Sequence, residues 1–135
     1  MREIKFRAWD KKFKIMINPT DSFADYIGFD GTIHEIGEYS NYSGGGKTDE
    51  DVSKQYEVMQ WTGIKDIFEG DIVSARIASD KARFVGYVHY LNCQYWVNYI
   101  GYESYYVELM SLVNAEYEPI EVIGNIYQNP ELMNP

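Results

Sequence analysis

Gly46-Lys47-Thr48 has the ending of a phosphate-binding loop, in which backbone amides cradle phosphate and a Lys reaches its oxygens. That motif needs a Gly five positions before Gly46, and Asn41 stands there instead. Asp49-Glu50-Asp51 follows where an apolar helix should begin, and its charge would repel phosphate. Nucleotide binding is not expected. Asp66, Glu69 and Asp71 gather three carboxylates in one short stretch. A Ca2+ site draws on about six to eight oxygens at a longer, regular spacing. Glu69 and Asp71 flank Gly70 and read better as turn formers that accept hydrogen bonds from nearby backbone amides. His34, His89 and Cys93 complete the candidates for base, ligand or nucleophile. His34 has no metal-ligand partner at useful spacing, and no third group orients a His89/Cys93 dyad. No catalytic residue, metal ligand or cofactor-binding residue is assigned, and no cofactor is expected.

Two surfaces suggest binding rather than catalysis. Lys5, Arg7 and Trp9 alternate along one strand face, with Lys11, Lys12 and Lys14 in the following turn and strand. Basic and aromatic groups interleaved in this way can track a single nucleic-acid strand. The competing reading docks this hairpin on acidic protein surface. Charge favours docking, because the chain carries 12 Lys and Arg against 21 Asp and Glu. The excess of base lies in residues 1–14, while residues 84–135 hold no Lys or Arg and six acids. An acidic body repels phosphate backbones, so nucleic acid is disfavoured as a partner. The second surface is aromatic. Of 13 Tyr, seven lie between Tyr87 and Tyr106, more than one small core can use. Tyr offers a large apolar ring with a water-tolerant hydroxyl, which suits an interface.

The elements that would position these groups are mostly strands. Ile4, Phe6 and Ala8 alternate with Lys5, Arg7 and Trp9, and Phe13 to Ile17 alternates again after a polar turn. This predicts an N-terminal β-hairpin. Asp30-Gly31 between Tyr26–Phe29 and Thr32–Ile36 suits a two-residue hairpin turn. Ser43-Gly44-Gly45-Gly46 running into acids reads as a mobile linker over residues 43–54. That divides the chain into a hairpin region at 1–42 and a core at 55–135, within what is at most one compact domain.

In the core, Val58 to Val73 is the organising stretch, broken at Thr62-Gly63 and again at Glu69-Gly70-Asp71. Strands follow over 71–78, 82–91, 94–100 and 102–109. A last strand at 120–127 carries a bulge or close approach at Gly124. A two-residue turn at Asn92-Cys93 opposes Tyr90 to Tyr95, Val88 to Val97 and Gly86 to Tyr99 on one face. The other face pairs His89 with Trp96, Tyr87 with Asn98 and Val85 with Ile100. Both faces gain aromatic or β-branched pairs, and a Tyr ring can cover Gly86. The fold class is mainly β, with α+β character at the margins: a small β-barrel core behind an N-terminal hairpin. At 135 residues with one Cys, such a chain needs no disulfide. Its charged start and lack of a long apolar run predict a soluble, cytoplasmic protein.

Three blocks carry a family resemblance: Met1-Arg2-Glu3-Ile4-Lys5-Phe6-Arg7-Ala8-Trp9-Asp10, Met59 to Val73, and Glu121-Val122-Ile123-Gly124-Asn125-Ile126-Tyr127-Gln128-Asn129-Pro130-Glu131-Leu132. In this order they resemble the YopX-like family of phage and prophage proteins across nearly the whole chain. Members usually carry a short Asn-Gly-type insertion between the positions of Asp66 and Ile67. It is absent here, so a tighter loop is expected. The resemblance implies a β-rich, barrel-containing fold, a phage or prophage origin and no established activity. The expected role is a non-enzymatic interaction module that binds its own copies and a phage or host protein through Lys5, Arg7, Trp9, Tyr87, Tyr90, Tyr95, Trp96 and Tyr99. A nucleic-acid accessory module using Lys5, Arg7 and Trp9 is the alternative, and a carboxylate hydrolase at Glu69 and Asp71 the remote third.

Overall fold

Alternation of apolar and polar residues over short runs makes strands, and the computed structural model of the chain is mainly β, as expected. It describes residues 4–18, 26–27, 33–41, 44–76, 83–102, 105–113 and 120–134. Two compact units meet in sequence between Val58 and Met59.

The first unit, Lys5–Val58, holds two three-stranded antiparallel sheets. Strand β1 (Phe6–Asp10) pairs with β2 (Ile15–Ile17), setting Ala8 against Ile17 and Trp9 against Met16. The N-terminal hairpin is thus present. Its turn is held by Asp10, whose buried carboxylate accepts the amides of Lys12 and Phe13 at 2.9 and 3.1 Å. The same carboxylate receives the Gln55 side-chain amide, and Lys11 N–H donates to the Gln55 carbonyl. These bonds fit the sheet order β2-β1-β6, in which β6 (Tyr56–Gln60) flanks β1 on its other side. A short core of Ala8, Ile17, Ile33 and Tyr56 forms with Val52 and Val58 packed against it. Each fully buried aliphatic or aromatic side chain of this kind stabilises by about 1.5–3 kcal/mol.

The other sheet of this unit joins β3 (Tyr26–Ile27), β4 (Ile33–Asn41) and β5 (Gly44–Asp51). Here the linker expected at 43–54 is corrected. Gly44–Asp51 is a strand in register with all but the first residue of β4, from His34 opposite Asp51 to Asn41 opposite Gly44. Backbone groups need partners whatever side chains they carry, and β4 supplies them along the whole segment. Gly46-Lys47-Thr48 is therefore extended chain, not a phosphate-cradling turn before a helix. The pairing of Tyr26 with His34 and Ile27 with Ile33 is one residue out of step with a two-residue turn at Asp30-Gly31. That turn itself lies outside the described residues.

The second unit begins at Met59 and is built on an antiparallel sheet, ordered β10-β9-β8-β7-β11. Its strands are β7 (Asp71–Arg76), β8 (Arg83–Leu91), β9 (Gln94–Tyr99), β10 (Tyr106–Glu108) and β11 (Glu121–Asn125). The sheet is open: among the described residues β10 and β11 are its edges, so the expected barrel does not close. Val73, Ala75, Val88 and Val97 line one face and pack with Ile67, Ile120 and two residues of helix α1 (Leu109–Val113), Leu109 and Leu112. The β8–β9 register matches expectation pair for pair, from Gly86–Tyr99 to Tyr90–Tyr95. Ile100 N–H also donates to the Val85 carbonyl. The cause is the turn: Asn92 and Cys93 both adopt positive φ, 51° and 64°, as a two-residue turn with strand-matched twist requires.

Candidate functional site

Met59 to Val73, at the start of the second unit's main segment, is cross-braced by side-chain and backbone bonds. Thr62 seals a tight loop, with its N–H and its Oγ1 both donating to the Ile67 carbonyl, at 3.0 and 2.8 Å. The Trp61 indole N–H donates to the Lys65 carbonyl at 2.7 Å, and Trp61 bridges to Phe68. Asp71 is fully buried, and its Oδ2 accepts the Phe68 N–H at 2.8 Å, the turn-forming role expected of it. Gly70 donates to the Val88 carbonyl and accepts from Ile126 N–H. Glu69 is half-buried. Burial pushes its carboxyl above the ordinary 4.5, and a hydrogen bond from the Gln60 backbone partly opposes that rise. Asp66 is exposed. The three carboxylates thus serve different ends, and among the described residues no three His, Cys, Asp or Glu gather as a metal site would need.

Ile126 belongs to a second brace that the sequence reading missed. Asn125 is buried, and its Oδ1 accepts the amides of Tyr127 and Gln128 at 3.1 and 2.8 Å. Its Nδ2 donates to Gln128 Oε1 at 2.7 Å, while Asn129 Oδ1 accepts the Asn125 N–H. A Cβ on Gly124 would lie 2.5 Å from Asn129 Oδ1, which explains the close approach expected there. The pairing of β11 with β7 also shifts between Val122 and Gly124, the expected bulge.

The proposed interaction residues do not form one surface. Arg7 and Trp9 are buried within the chain and Lys5 is only partly exposed, so the basic-aromatic strand offers no open stacking face. Strand β1 is the middle strand of its sheet, and Arg7 to Asp10 are all buried. Alternation along a central strand does not mark a wet side. In the β8–β9 hairpin, Tyr90 and Tyr95 meet edge-on at 5.1 Å on one face, Tyr90 half exposed. Tyr99 stands opposite Gly86 in the register. It stacks on Phe84 at 4.0 Å, and the space at Gly86 is filled by Val97 and the Asn98 backbone. Tyr87 and Trp96 lie on the opposite face, with Tyr87 5.7 Å from the His89 ring.

Exposed aromatics continue past the hairpin. Tyr99 meets Tyr105, which meets Tyr102, and Tyr106 stands edge-on to Trp96 at 5.1 Å. Tyr102, Tyr105 and Tyr106 are each more than 60 % exposed. The run after Gly101 was the signal for them. Two hollows flank the hairpin. One, of about 570 Å3, is lined by Gln60, Tyr90, Cys93, Tyr95, Glu108 and Met110 among others. The other, of about 240 Å3, is lined by His89, Leu91, Asn92, Trp96, Asn98 and Tyr106. Cys93 and His89 therefore open onto different hollows and form no dyad. His34 sits in β4, in register with Tyr26 and Asp51.

These features define a β-rich, two-unit protein with aromatic rims and no assembled catalytic group among its described residues. Residues 5–134 match the model of the YopX protein family, and the chain belongs to that family. Two solved structures share its fold along the full length. Protein EF1440 from Enterococcus faecalis is 24 % identical with a TM-score of 0.61, covering 99 % of this chain and 100 % of that one. Protein yopX from Bacillus subtilis is 21 % identical with a TM-score of 0.62, covering 100 % and 98 %. No curated protein matches. Among the described residues no helix is long and apolar enough to cross a membrane.

Proposed function

We propose that this chain is a phage- or prophage-derived accessory protein that works by protein–protein recognition in the bacterial cytoplasm, without catalysis, and that it associates with its own copies. One observation carries the reading: the exposed aromatic row of Tyr102, Tyr105 and Tyr106, each more than 60 % exposed. Rings of this size left in water are costly unless another surface covers them. An interface adequate for a stable pair buries about 1,000 Å2 or more. Membership in the YopX protein family is the ground for the phage or prophage origin.

The test is native mass by light scattering, for the wild type and for a Tyr102→Ser/Tyr105→Ser/Tyr106→Ser triple variant. The wild type is expected as a closed oligomer at tens of micromolar and the variant as a folded monomer. A monomeric wild type would sink the self-association. An oligomer untouched by the triple change would move the interface elsewhere.

A further inference from the structure

The smaller hollow has a chemistry of its own. Trp96 and Tyr106 stand at 86° to each other, so two ring faces make a corner. The corner is fixed, because the Trp96 indole N–H is held by the Leu91 carbonyl at 3.0 Å. His89 forms a third wall and Asn98 completes the floor. His89 Nδ1 and Asn98 Oδ1 are both buried and have no hydrogen-bond partner. Buried polar atoms are nearly always paired, and two orphans on residues that line one small hollow mark a place where a partner is missing. The ring of His and the amide of Asn turn about broad, two-fold torsions, so each atom can swing toward the hollow.

Which partner fits follows from charge. Among the described residues none lining the hollow is cationic, so an anion finds no charge partner there. Burial holds the His89 imidazole below its ordinary 6.5, which leaves it neutral near pH 7 with a ring nitrogen free to accept. The Asn98 oxygen only accepts. Residues 84–135, which supply these walls of the hollow, contain no Lys or Arg. Two aromatic faces and neutral acceptors select a planar cation with several N–H donors. A volume of about 240 Å3, roughly that of eight waters, holds one such group and not an extended ligand.

We infer that the hollow walled by His89, Trp96, Asn98 and Tyr106 is a receptor for the guanidinium of a single arginine side chain presented by a partner protein. This goes beyond self-association through the Tyr102–Tyr106 row. The hollow takes the arginine edge-on to Tyr106 and flat against Trp96, with its N–H groups directed to Asn98 Oδ1.

The experiment is a nuclear magnetic resonance titration of the full chain with N-acetyl-arginine amide, following the Trp96 indole and Asn98 side-chain amide signals. The controls are N-acetyl-citrulline amide, which has nearly the same shape without charge, and N-acetyl-lysine amide. Saturable shifts of both signals are expected with the arginine probe, weaker with lysine and absent with citrulline. Asn98→Asp should tighten arginine binding several-fold. Trp96→Phe should weaken it, and unchanged amide spectra elsewhere would establish that each variant is folded. Equal shifts with citrulline and arginine, or no shift of the Trp96 indole, would overturn the assignment. So would weaker binding by a folded Asn98→Asp variant.

Discussion

Asn125→Ala should be among the most damaging polar substitutions in the second unit. Its side chain is buried and satisfies the amides of Tyr127 and Gln128 while donating to Gln128 Oε1. Alanine removes the acceptor of two part-buried backbone N–H groups. Each ordinary hydrogen bond lost costs about 1 kcal/mol, and each donor left unsatisfied about 1–3 kcal/mol. Because the turn is partly open to solvent, the lower end applies, giving about 2–4 kcal/mol in all. Asn125→Asp keeps both acceptor bonds and loses only the donor to Gln128, so it should cost roughly half as much near neutral pH. Urea unfolding followed by Trp fluorescence reads both, as a lowered midpoint with an unchanged slope. A folded Asn125→Ala chain within about 0.5 kcal/mol of wild type would refute the reasoning, since surface substitutions without a structural role fall in that range. Equal losses for Ala and Asp would refute the acceptor role specifically.

Gly86→Ala would set a methyl 2.5 Å from Val97 Cγ1 and 2.6 Å from the Asn98 carbonyl oxygen. Strand β9 must give way, and the expected loss is about 1–3 kcal/mol, visible as a lower thermal midpoint. Glu69→Gln should be more stable than wild type at pH 7. The Glu69 carboxyl is raised by burial, so as pH climbs past 4.5 the unfolded chain ionises first, and the contribution of Glu69 falls until its folded pKa is passed. The stability gap between variant and wild type should therefore narrow as pH is lowered toward 4.5 and below. Arg7→Glu should lower the stability of the first unit by about 3 kcal/mol or more, since it buries a reversed charge, while Lys5→Glu should cost little. Comparable small effects in chemical unfolding would mean that Arg7 faces water.

Local patterns told the truth where a turn decides the outcome. Asn92-Cys93 admits one strand-matched geometry, and every pair of the β8–β9 hairpin follows from it. Gly124 likewise announced its close approach. Patterns misled where a neighbouring strand decides. Lys5, Arg7 and Trp9 have the alternation of a half-wet strand, yet β1 is covered by strands on both edges and buried from Arg7 to Asp10. Gly44–Asp51 has the composition of a linker, but pairing is a property of the backbone, and β4 offers a long run of partners. Barrel closure depends on how far strands shear and coil, which period-two alternation does not encode. The smaller hollow was half legible. Trp96 and the His89–Trp96 pair were foreseen, but Asn98 and Tyr106 come together only through the pairing of β10 with β9.

The sheet order β2-β1-β6 has a consequence for synthesis. Strand β1 emerges early, but its second edge is closed by a strand whose first residue is Tyr56, and Gln55 completes the Asp10 turn from 45 positions away. A bacterial or eukaryotic ribosome adding about 5–20 residues per second leaves the nascent hairpin waiting roughly 2–9 s for that strand. A two-stranded hairpin is barely stable on its own, and β1 holds out an unfilled edge for that whole interval. Translation speed across the codons before Gln55 therefore sets how long each new chain is open to pairing with its neighbours on a crowded polysome.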